Sequence, residues 1–309
     1  MQENALNTTI YTDWGYALVK ASAVTPFDGC QFVTIKNCTI TLNKTNTSSI
    51  GIYSANHIAK ATTSLTITAT TDAHNNSKFY GNTITNSYAG IFIGGFAAAT
   101  PFALYDQNNE VGVTAGNTIT NFGGGSSSAR AIYGIYQNNL KVANNNISGG
   151  TGTTTTVYGV FTSTGTSSNV DIYNNTIALS MTTAYTSTLA GIDNAMGSTA
   201  ASNTVNIYNN NIQYNNISGV TTGTTIGIRN SATAAIININ GNTVSNTNLS
   251  AATSGTFTGI TNTASATTVN VFSNLVNGNT LNGTGTFNGI IGGSATNLNI
   301  YSNNVYGNT

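Results

Sequence analysis

One eight-residue pattern recurs so regularly along this chain that it dictates the fold class. It reads apolar-x-apolar-x-x-Asn-x-apolar in LKVANNNI (140–147), VDIYNNTI (170–177), VNIYNNNI (205–212), VNVFSNLV (269–276) and LNIYSNNV (298–305). VTIKNCTI (33–40), ININGNTV (237–244), FYGNTI (79–84) and TAGNTI (114–119) are looser copies. The shared polar position holds Cys38, Asn82, Asn117, Asn145, Asn175, Asn210, Asn242, Asn274 and Asn303, at steps of 44, 35, 28, 30, 35, 32, 32 and 29 residues. Self-similarity at that period marks a repeat architecture, in which each unit buries its apolar edge only against its neighbours.

A second anchor interleaves with the first. Glycine followed by Ile or Val occurs at Gly51-Ile52, Gly90-Ile91, Gly134-Ile135, Gly159-Val160, Gly191-Ile192, Gly227-Ile228, Gly259-Ile260 and Gly289-Ile290, one between each neighbouring pair of corner positions. Three residues before these glycines stands a Ser/Thr set (Ser48, Ser87, Thr156, Thr188, Thr224, Thr256, Thr286) that Ala131 interrupts. Phe257 and Phe287 fall at equivalent positions and are expected to stack inside.

The period within each unit is that of a strand. Val170 and Ile172, like Val205 and Ile207, alternate with polar residues and so share one face. Asn and Gly bound the segments, and both tolerate left-handed backbone. The connections are Gly/Ser/Thr loops without a helical stripe. Stacking coils about 4.8 Å apart pairs each strand with its equivalents and lines corner asparagines into a hydrogen-bonded ladder. The expected fold is therefore all-β: a right-handed parallel β-helix of about nine coils of roughly thirty residues. It spans residues 1–309 as a single domain, with irregular insertions around 55–78 and 94–112. The chain stops within a repeat, at Asn303-Asn304-Val305-Tyr306, so an open strand edge is expected there, covered by more sequence or another subunit.

These corners and Gly-Ile strands resemble the repeats of the pectin lyase-like superfamily. The charge-poor version rich in Asn, Thr, Ser and Gly is similar to repeat regions in large secreted and cell-surface proteins of Bacteroidota. The resemblance covers roughly residues 34–309 and implies fold more than activity, because enzymes and adhesins share the scaffold.

Composition narrows the function. Only 5% of the chain is charged and net charge is zero, against about 25% charged in an average domain. Thirteen of the sixteen charged residues precede Val142, leaving Asp171, Asp193 and Arg229 beyond it. No basic stripe is present to neutralise phosphates, which excludes nucleic acid as an expected partner. The most apolar stretch, residues 89–105, contains glycines and Pro101 and falls short of a membrane span. The first eleven residues show no apolar leader core. Cys30 and Cys38 flank a predicted strand at 32–36 and read as two buried free thiols rather than a disulfide.

Chemistry is sparse. Glycoside hydrolysis requires a pair of carboxylates, yet the eight acidic residues place no two at equivalent positions in adjacent coils of the regular repeat. Asp171 occupies the outward slot held elsewhere by Asn206, Asn238 and Asn270. Asp193 and Arg229 follow equivalent glycines and should form a surface ion pair. His57, Asp72, His74, Asp106 and Glu110 are scattered over the two insertions and read as ordinary solvated groups, and the two histidines, seventeen apart, match no zinc spacing. No phosphate-cradling or nucleophile motif occurs. Tyr173, Tyr208, Phe272 and Tyr301 share a position two before the corner Asn, with Asn240 breaking the row. They are the candidate glycan-stacking residues, although such rows more often stack on one another.

The expectation is a non-enzymatic structural or adhesive module, extracellular or at the cell surface, serving as spacer, stalk or filament subunit. No cofactor and no metal are expected. Its partners would be neighbouring repeats or subunits stacked end to end, and surface glycans. A carbohydrate-binding β-helix or a polysaccharide lyase or hydrolase is the alternative.

Overall fold

The computed structural model describes residues 13–99, 102–198, 202–219 and 222–309. The segment read for a leader lies outside them. The chain forms a parallel β-solenoid of nine coils whose strands line up in three nine-stranded sheets. The first sheet runs from Asp13–Lys20 to Phe287–Ile291, the second from Thr34–Lys36 to Ala295–Tyr301, and the third from Thr39–Thr41 to Asn304–Tyr306. Two 3-10 turns, Thr70–Asp72 and Phe102–Leu104, are the helical elements among the described residues, and none is long and apolar enough to cross a membrane.

Three inward rows build the core. Ile177, Ile212 and Val244 pair in register on the third sheet, Ile172, Ile207 and Ile239 on the second, and Val160, Ile192 and Ile228 on the first; all are fully buried. In the ninth coil the same rows lie open, with Ile300 50% and Val305 48% exposed. Phe257 and Phe287 do stack, centroids 4.9 Å apart.

The second sheet turns into the third through two residues. The first adopts left-handed backbone: Asn37, Gly81, Asn144, Asn174, Asn209, Gly241, Ser273 and Ser302 all have φ between 53° and 64°. That conformation favours Gly and Asn, which accounts for the composition of the corner. The second residue is the ladder position.

Three expectations need correction. Strand register pairs Ile132, not Ile135, with Ile91 and Val160. Ala131 therefore occupies the glycine slot of that coil, and Gly134-Ile135 is out of register by three. Corrected this way, Ser128 fills the gap in the Ser/Thr row. Second, the strand near the cysteines begins at Thr34, because Phe32 is at φ 55° and projects into solvent, 74% exposed. Third, Cys30 and Cys38 are free but half-buried.

Glycine is pressed on both sides at its slot. A Cβ on Gly191 would stand 2.6 Å from Ile212 Cγ2 and 2.7 Å from the Gly227 carbonyl oxygen. The first and third sheets approach closely along this line, which the Gly-Ile anchor reports.

Candidate functional site

The corner residues form one continuous buried ladder. Each amide oxygen from Asn82 through Asn303 accepts from the preceding coil's ladder backbone N–H at 3.0–3.1 Å. From Asn117 onward it also accepts that residue's side-chain NH2, at 2.9–3.0 Å. Each NH2 further donates to a carbonyl on the preceding coil, as Asn175 does to Val142. Every polar atom of these amides is used, so the ladder is structural and presents nothing to a ligand.

The outward row on the second sheet is also a ladder. Asn206 donates to Asp171, Asn238 to Asn206, Asn270 to Asn238 and Asn299 to Asn270, each at 2.7–2.8 Å. Toward the N-terminus the row continues as Lys141, Glu110 and Lys78, where Lys78 and Glu110 pair at 3.6 Å.

The proposed glycan-stacking residues stack on each other. Tyr173 lies flat on Tyr208 (4.8 Å, 2°) and Phe272 on Tyr301 (5.0 Å, 4°). Asn240 separates the pairs. Each ring gives one face to its partner in the pair, and Tyr301, in the last coil, is 52% exposed.

Of the titratable residues in the irregular stretch, the fold joins two. The His74 N–H donates to Asp106 Oδ1 (2.8 Å) and Gln137 Nε2 to Asp106 Oδ2 (3.0 Å), all buried. His74 Nδ1 accepts from the Cys30 N–H and its Nε2 donates to the Ala55 carbonyl, which fixes a neutral ring. Burial pushes His74 down to about 3 and Asp106 up to about 6. Lys20, on the first strand, is 2% exposed with an unpartnered Nζ, and burial lowers its pKa. The pattern signals none of this, because the cluster is assembled from insertions and the first strand. It is sealed from solvent. The other candidates point elsewhere: His57 bonds the Tyr53 hydroxyl (2.7 Å) and Ile58 carbonyl, and Asp72 accepts from its own loop. Among the described residues no three His, Cys, Asp or Glu side chains converge on a metal position.

Asp193 and Arg229 pair as expected, through two contacts of 2.9 and 2.5 Å. The pair is less superficial than the spacing suggested, since the Asp193 side chain is only 2% exposed.

The largest aromatic feature escaped the pattern. Trp14, Tyr53, Phe92, Tyr133 and Phe161 form one row on the outer face of the first sheet, with centroids 4.5–5.2 Å apart. The last four directly follow the Gly-Ile anchor, correctly registered, and Asp193 and Arg229 continue the row. The misplaced Gly134-Ile135 anchor hid it. The row flanks a cleft of about 480 Å³ lined by Tyr53, Tyr88, Phe92, Ser127, Ser128, Arg130 and Tyr133 among others. Arg130 lies over the Tyr133 ring at 4.5 Å. Comparisons with protein-family models, curated proteins and solved structures return no match to this chain.

Proposed function

We propose that this chain is a non-enzymatic structural module, a rigid spacer or stalk segment of a secreted or cell-surface protein, stacked end to end with further coils. The observation that carries the reading is the use of its polar groups. The ladder amides are saturated by one another, and the regular coils hold their acids in pairs or ladders. At about 4.8 Å per coil, nine coils form a rod about 43 Å long. A charge-poor solenoid of this kind resembles the pectin lyase-like scaffold and repeat regions of Bacteroidota surface proteins, and that kinship belongs to the proposal.

The sealed position of His74 and Asp106 also supports a structural role, because a substrate has no path to them. The test is incubation of the purified chain with a panel of neutral and acidic polysaccharides, followed by assay for new reducing ends and unsaturated products. The expected result is no release above buffer. Product formation that disappears on Asp106→Ala, with the fold intact, would replace this reading with a lyase or hydrolase.

A further inference from the structure

The cleft beside the aromatic row contains a guanidinium, that of Arg130, for which the described residues supply no ion-pair partner. Arg130 packs over Tyr133 at 4.5 Å and Phe161 at 5.3 Å, which orients its guanidinium. Its Nε is buried without a hydrogen-bond partner. The ion pairs among the described residues are Lys78–Glu110 and Arg229–Asp193, so no carboxylate stands within reach of it. Two coils further along the same face, Asp193 does neutralise Arg229.

The rest of the lining is uncharged. Tyr53 and Phe92 stack at 26°, and Trp14 covers the far face of Tyr53 at 7°, so these rings offer edges rather than faces to the cleft. An aromatic edge is the positive part of the ring quadrupole. Thr47, Ser127 and Ser128 supply hydroxyl donors at the rim, and the Tyr88 hydroxyl holds that rim by donating to the Ser127 carbonyl. No acidic side chain lines the cleft.

We propose that this cleft is an oxyanion-binding site, taking a carboxylate or sulfate carried on a sugar-sized molecule. A guanidinium meets such a group through paired N–H donors, while the ring edges and rim hydroxyls contact the body of the ligand. The cleft volume lies within the usual range of small-molecule sites, roughly 300–1,000 Å³. The site is independent of the spacer role and would give the module a point of attachment.

The test is calorimetric or NMR titration of the full chain, at low salt, with three probes: glucuronate, glucose and inorganic sulfate. Glucuronate should bind and glucose should not, with sulfate competing more weakly. Added salt should lower the affinity. Arg130→Gln should weaken glucuronate binding by about tenfold or more and Arg130→Lys by less, with thermal melts confirming that both variants fold. The proposal is overturned if wild-type protein binds neither anion at millimolar concentration, or if glucose binds as tightly as glucuronate. Binding that survives Arg130→Gln, or sulfate binding as tight as glucuronate (an adventitious ion only), overturns it equally.

Discussion

Asn175 directs both its backbone N–H and its side-chain NH2 at one atom, the Oδ1 of Asn210, at 3.1 and 2.9 Å. Asn210 in turn donates to the Ile172 carbonyl and to Asn242 Oδ1. Removing it strands two donors of Asn175 and the Ile172 carbonyl on the preceding coil, where water has no access. A stranded buried group costs about 1–3 kcal/mol, so Asn210→Ala should lose roughly 3–5 kcal/mol in urea unfolding. Asn206→Ala, on the half-buried outer ladder, should lose less than about 1 kcal/mol.

The glycine slot gives a second contrast. Gly191→Ala places a methyl 2.6 Å from Ile212 Cγ2 and 2.7 Å from a carbonyl oxygen of the next coil. Overpacking of this kind costs about 1–3 kcal/mol. The coil containing Ala131 already accommodates a methyl at this slot, so Ala131→Gly should not stabilise the protein. Thermal melts of the two variants, with opposite substitutions at equivalent positions, decide this.

Acid should reveal two opposing titrations. His74 is held at about 3 against 6.5 in the unfolded chain, so below pH 6.5 the unfolded state alone takes its proton and stability falls. Asp106 is raised to about 6 from 3.8, so between those values the folded state alone takes its proton and stability rises as pH falls. Between pH 6 and 4 the two should nearly cancel. Urea midpoints of Asp106→Asn should then fall on acidification through this window, and those of His74→Gln should rise. Parallel slopes in both variants would contradict the assignment.

The Asp193–Arg229 pair should behave as a buried one. Arg229→Ala leaves a carboxylate that is 2% exposed without its partner, a loss of about 3 kcal/mol. Adding Asp193→Ala should recover much of that loss, because the stranded charge goes with it. A double-mutant cycle in chemical denaturation measures the coupling.

What the sequence disclosed follows from how many demands a position carries. The ladder position must turn a corner and satisfy four amide contacts, which leaves almost only Asn, and the repeat was legible there. The glycine slot demands only smallness. Ala131 met it, Gly134-Ile135 imitated it, and the register slipped by three. With it went the aromatic row, visible only once Tyr133 is aligned with Phe92 and Phe161. The Lys20–His74–Asp106 cluster obeys no period, because insertions of unrelated sequence build it. Tyr173 and Tyr208 share one position in the repeat, and their stacking on each other follows from the coil spacing that brings equivalent side chains together.

Amide hydrogen exchange tests the account most directly, because its central claim is that saturated ladders, rather than a catalytic site, organise this molecule. The backbone N–H groups of Asn117, Asn145, Asn175, Asn210 and Asn242 should exchange as slowly as those of the flanking core isoleucines, and only through global unfolding. Fast exchange at these corners, in a chain whose core strands remain protected, would contradict the ladder and the structural role built on it.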